Sequence, residues 1–128
     1  MLFGEFVRLK RRAKKLSIRV LAEMLGISPV YQSSIETGKR YAPSYEILQR
    51  MVSLFGLDED EQAYFYDLAS ESASEKTVPM DIVTYINDNE HIRALIRAAR
   101  DGKVSDDEIL RLVNKAKKRK GFKNKTGH

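Results

Sequence analysis

Between Ser17 and Arg40 the chain sets the hydroxyls of Ser17, Ser28, Ser33, Ser34 and Thr37 among the cations Arg19, Lys39 and Arg40. Hydroxyls, cations and helix N-terminal amides are the groups that hold phosphate oxygens and base edges. None of these hydroxyls has a base and an orienting acid at a spacing that would make it a nucleophile. The chain has two histidines, His91 beside an apolar helix face and His128 at its end. No Gly-rich phosphate loop, metal-ligand cluster or Ser-His-Asp spacing accompanies them. His91 with Asp88 and Glu90 could at most hold a weakly bound metal, and a half-exposed histidine at a helix start is the simpler reading. The expectation is therefore a protein that binds rather than catalyses, with no catalytic residue, no metal and no cofactor.

Two short amphipathic patterns position these groups. Ile18, Leu21, Ala22 and Leu25 recur at helical spacing behind Ser17, which can cap the helix. Gly26 follows, and a left-handed glycine there turns the chain sharply into the next helix. Ser28 reads as the second N-cap and Pro29 as the first helical residue, where its missing N–H costs nothing. Small Ala22 lets the two helices cross closely, and Thr37-Gly38 ends the second. At about 100° per residue, Gln32 and Ile35 point inward on that helix, while Val30, Ser33, Ser34 and Thr37 point outward with Tyr31 at the edge. This is a helix-turn-helix pattern.

The run Leu21-Ala22, Gly26-Ile27-Ser28-Pro29, Ile35-Glu36, Gly38-Lys39-Arg40 and Pro43-Ser44 resembles the phage repressor and Cro-like regulators called the XRE family, over about residues 3–69. The resemblance implies an all-α, five-helix DNA-binding domain whose second and third helices form the motif. It implies base readers at Pro29, Val30 and Ser34, with Ser33 close by, and a largely buried ion pair between Arg11 and Glu36. None of those readers is the Arg, Lys, Asn or Gln that makes a bidentate base contact worth about 1–3 kcal/mol. Val30 can meet only a thymine methyl. Gln32 departs from the family's apolar residue: either its amide finds a buried partner, or the helix is slightly rotated and Gln32 becomes the main base reader, for adenine. Ile18 replaces the glutamine of many relatives and reads as core. Phosphate contact then falls to Ser17, Arg19, Lys39 and Arg40, with Ser28, Tyr31 and Thr37 around the same face.

The remaining chain supports or extends this motif. Phe3, Phe6, Val7 and Ala13 share one side of a first helix, although Lys10 lies in the middle of that stripe. Ile47, Leu48, Met51, Val52 and Phe55 form a core stripe ending at Gly56, and Asp58-x-x-Glu61 is a capping box for a fifth helix. Tyr64, Phe65 and Tyr66 are consecutive and cannot all face one core; they are expected to offer a docking surface. The predicted organisation is a DNA-binding domain at 1–70, a linker at 71–78, a helical extension at 79–118 and a basic tail at 119–128, without order beyond Gly121. In the extension, apolar stripes begin at Met80, at about Glu90 and after the capping box Ser105-x-x-Glu108. Arg93, Arg97 and Arg100 make a basic stripe that reads mainly as a solvated face.

Charge follows the same division. Residues 1–40 have nine Lys/Arg against three Asp/Glu, residues 41–75 one against eight, and residues 76–128 thirteen against seven. Basic charge thus gathers at the motif and at the end, as a polyanion-binding face requires. Zero cysteines, no long apolar run and no signal pattern after Met1-Leu2-Phe3 predict a cytoplasmic protein with no membrane contact. The expected function is a repressor that binds palindromic operator DNA as a homodimer, with modest sequence discrimination. The alternative is an antitoxin-like interaction module whose residues 79–118 hold a partner protein, with DNA binding for autoregulation.

Overall fold

The structure is a computed structural model and describes residues 1–74 and 76–125, with the backbone alone for 120–125. Its elements are α1 (Phe3–Ala13), α2 (Ile18–Leu25), α3 (Pro29–Glu36), α4 (Tyr45–Phe55), α5 (Glu59–Glu71), α6 (Met80–Asp88), α7 (Glu90–Arg100) and α8 (Asp106–Lys125). The all-α class holds: no strand occurs among the described residues. None of their helices is long and apolar enough to cross a membrane. The chain divides into two compact units, Met1–Thr84 and Tyr85–His128, so α6 straddles their boundary.

In the first unit the periodic apolar positions converge. Phe3, Phe6 and Val7 of α1, Leu21 and Leu25 of α2, Ile35 of α3, Leu48, Met51 and Phe55 of α4 and Phe65 of α5 form one buried cluster. Phe65 is fully buried, with its ring 5.3 Å from Phe3, 5.7 Å from Phe6 and 5.5 Å from Tyr66. Burying a side chain of this size contributes about 1.5–3 kcal/mol. The three consecutive aromatics separate as helical geometry demands: Tyr66 turns inward toward Tyr45, while Tyr64 stays 46% exposed with its edge on the Phe6 ring. Ala13, expected on the inner side of α1, is exposed, because the helix ends there and the chain turns away.

Lys10 is accommodated in the α1 stripe by its length. Its stem lies along the core edge, its ammonium sits 5.5 Å from the centre of the Phe6 ring, and it pairs with Glu61. Glu61 also closes the capping box with Asp58, so one carboxylate both starts α5 and ties it to α1. The turn after α1 is less relaxed. Lys15 there has φ 57, a left-handed conformation that glycine usually fills.

Two contacts fix α3 on α1. At Gly4 an added Cβ would lie 2.5 Å from the carbonyl oxygens of both Ile35 and Glu36, so only glycine lets α1 approach the end of α3 this closely. Seven residues further along α1, about two turns on, the Arg11 guanidinium grips Glu36 with two bonds, Nε to Oε2 at 2.8 Å and Nη2 to Oε1 at 2.9 Å. Its Nη1 donates to the Leu16 carbonyl at 2.9 Å, and the Arg8 Nε stands 3.6 Å from Glu36 Oε1. Burial pushes the Glu36 carboxyl up, but hydrogen bonds from Arg11 and Gln32 and the charges of Arg11 and Arg8 outweigh it and hold the group below its ordinary 4.5.

In the second unit, Asn89 caps α7 by accepting from the Ile92 amide at 3.0 Å. Ser105 and Glu108 exchange the two bonds of a capping box ahead of α8. α7 has no buried residue, and Leu95, Ile96, Leu110, Leu112 and Val113 stay more than 40% exposed. The predicted tail at 119–128 continues α8 as helical backbone to Lys125, and residues 126–128 lie outside the described residues.

Four outcomes are expected from melting and urea curves. Gly4→Ala should destabilise by about 1–3 kcal/mol, as overpacking does, since backbone carbonyls cannot move aside as a flexible side chain could. Lys15→Gly should stabilise by about 0.5–1 kcal/mol through relief of the left-handed strain. Arg11→Met should cost about 3–5 kcal/mol at neutral pH, because it strands a buried carboxylate. Since the Glu36 pKa is lowered on folding, its stabilising contribution is complete above the ordinary 4.5 and is lost as pH falls through the lowered folded value. Glu36→Gln should therefore show a flatter acid limb than the wild type in urea midpoints measured against pH.

Candidate nucleic-acid interface

α2 and α3 meet as the helix-turn-helix pattern requires. Ser17 Oγ accepts from the Val20 amide at 3.1 Å, Gly26 turns the chain at φ 74, and Ser28 Oγ accepts from the Tyr31 amide at 3.0 Å. Ala22 is fully buried, with its carbonyl accepting from the Ile27 amide. The turn is also held from α4: Arg50 Nη1 donates to the Leu25 carbonyl at 2.8 Å while Nη2 binds Glu46 at 2.7 Å. Arg50 thereby satisfies one of the free carbonyls at the end of α2. Neither this contact nor the Gly4 approach was read from the sequence. A lone glycine in a helical pattern is the available signal for Gly4, whereas Arg50 had none, since its partner is a backbone carbonyl 25 residues away.

The outer side of α3 is open. Val30 is 76% exposed and Pro29 is exposed, while Ser33, Ser34 and Tyr31 are partly covered at their bases. The carbonyl of Ser34 accepts from the Lys39 amide at 2.9 Å and the Arg40 amide at 3.2 Å, which folds the loop back and leaves both cationic side chains exposed. Arg19 is exposed at the start of α2. The structure therefore brings Pro29, Val30, Ser33 and Ser34 to one helix face, with Ser28 at its start and Lys39 and Arg40 just past its end, while Ser17 and Arg19 lie at the start of α2.

Proton bookkeeping separates the hydroxyls. Ser17 and Ser28 use their oxygens as acceptors for helix amides, so each hydroxyl proton is free to donate to a phosphate. Thr37 instead gives its proton to the Ser33 carbonyl at 3.0 Å, so it has none for a phosphate in this arrangement. Gln32 is a correction. It is fully buried and its Nε2 donates to Glu36 Oε2 at 2.9 Å, so it cannot serve as the base reader for adenine. Helix α3 is not rotated; the amide has found its partner inside. Its Oε1 finds no hydrogen-bond partner among the described residues. Ile18, expected in the core, is half-buried at its rim.

The chain resembles known proteins. The family described as helix-turn-helix domain matches residues 2–65. The ImmF control region 10 kDa protein of Bacillus phage phi105 is similar at 42% identity over 55 residues, which are 43% of this chain and 60% of that protein. The chain thus spans less than two thirds of that relative's length. A solved chain from the SinR protein/SinI protein complex is similar over 94% of this chain and 99% of its own, with 22% identity and a TM-score of 0.44. The chain belongs to the helix-turn-helix DNA-binding regulators of the XRE family.

Proposed function

We propose that the chain is a cytoplasmic transcriptional repressor that binds palindromic operator DNA as a homodimer and works by occupancy, with no catalytic step. The observation that carries this reading is the open face of α3. Val30 is exposed and Ser33 and Ser34 are half-exposed on the outer side of the helix, while every inward residue is spoken for by Glu36, Arg11 or the apolar cluster. An eight-residue helix fits the major groove. Its side chains are sparing readers, since serine accepts or donates to several bases and valine selects only a methyl. One such helix discriminates weakly, so two half-sites and DNA shape must supply the rest, which is the argument for a dimer. Arg19, Lys39 and Arg40 add phosphate contacts that position without specifying.

A second reading draws on the uncovered apolar side chains of α7 and α8, among them Leu95, Ile96, Leu112 and Val113. Exposed apolar area of this kind marks an interface. In this reading residues 79–118 hold a partner protein in the manner of an antitoxin, and DNA binding serves autoregulation. A stoichiometric second protein co-purifying from the native cell favours it.

Gel-shift titration tests the main reading. Val30→Glu should remove duplex binding without moving the melting temperature, since this exposed position meets only the groove. The pair Lys39→Gln, Arg40→Gln should weaken all duplexes alike and lower the salt slope by about 1.8, at roughly 0.9 per phosphate. Wild-type protein that fails to bind any duplex below about 10 μM at low salt would sink the reading, because even non-specific binding falls in that range.

A further inference from the structure

Charge is partitioned along α8. Asp106, Asp107 and Glu108 fill its first turn, and from Ile109 to the end of the chain there are eight Lys/Arg and no Asp/Glu. At about 100° per residue, Arg111, Lys115 and Lys118 fall within roughly 60° of one another, opposite the stripe of Leu112, Val113 and Ala116. All three cations are exposed, and no ion pair among the described residues engages them. Residues at this spacing on a helix repel when alike in charge, so the row is one that a polyanion would relieve.

The basic stripe on α7 does not offer the same. Arg93 donates to the carbonyls of Ile86 and Asn87, and Arg100 is paired with Asp101, so that only Arg97 of this stripe has no partner among the described residues. On α8 no aromatic residue stands between Arg111 and Lys118. A groove for single strands stacks bases on aromatic rings, so this row lacks the means to prefer them. A straight line of cations over about 10 Å of helix matches the phosphates of a duplex instead.

We propose that the Arg111, Lys115 and Lys118 row of α8 is a second nucleic-acid contact, which follows duplex DNA phosphates without reading sequence. It shares with the proposed function only the premise that the chain binds DNA, and does not use the α3 face. The test is the full chain on a labelled random-sequence duplex across a salt series from about 50 to 200 mM. The triple variant Arg111→Gln, Lys115→Gln, Lys118→Gln should bind more weakly and lose about 2.7 from the slope of log affinity against log salt, three phosphates at roughly 0.9 each. Across that range the wild type should then lose about 40-fold more affinity than the variant does. Its melting temperature should match the wild type, as the three side chains are exposed. If the triple variant keeps the wild-type slope while the Lys39, Arg40 pair variant loses part of its own, the α8 proposal fails and the α3 reading stands. If neither changes, both fail. A loss confined to a single-stranded RNA homopolymer also overturns the duplex assignment.

Discussion

The arrangement of the first unit depends on one buried carboxylate. Glu36 ends α3 and receives two bonds from Arg11 and one from Gln32, with Arg8 behind. A charge taken out of water is tolerated only when its lone pairs are met in this way. Because Arg11 also binds the Leu16 carbonyl, the same guanidinium sets the end of α1, the entry into α2 and the pitch of α3. The apolar cluster supplies the bulk of the burial, and the ionic cluster supplies its registration. Gly4 then brings α1 so near the end of α3 that the two backbones touch.

The surface elements follow from this anchoring. With its inner side committed to Ile35, Gln32 and Glu36, α3 has one way to face, and Val30 projects outward by default. Arg50 repeats the device on the other side of the turn, gripping a backbone carbonyl of α2 from α4. Lys10 and Glu61 repeat it again between α1 and α5. Three of the helix junctions thus end in a long basic side chain that reaches a fixed acceptor, which leaves small shifts between helices little freedom.

Much of this could be read in the sequence, and the failures have physical reasons. Helix limits were legible because caps and stops are local chemistry: Ser17, Gly26, Ser28, Pro29 and the Asp58, Glu61 box all act within a few residues. The outward face of α3 was legible because it follows from a fixed angle per residue. Gln32 was left open, since periodicity places it inward but says nothing about whether an amide will find a donor or acceptor there; the answer lay with Glu36, one turn on, and Arg11, far back in the chain. Lys10 looked out of place in an apolar stripe because its partner stands 51 residues later. The second unit gave its helices but not what covers them, because an amphipathic pattern names a face and not an occupant.

The division of labour within α3 carries one more consequence. The side chains that hold the helix are 32, 35 and 36; of those on the outer side, 29 and 30 are exposed and 33 and 34 half-exposed, and the two sets share no member. If that face enters the groove as proposed, its residues could be exchanged one at a time while the side chains that anchor the helix keep their partners.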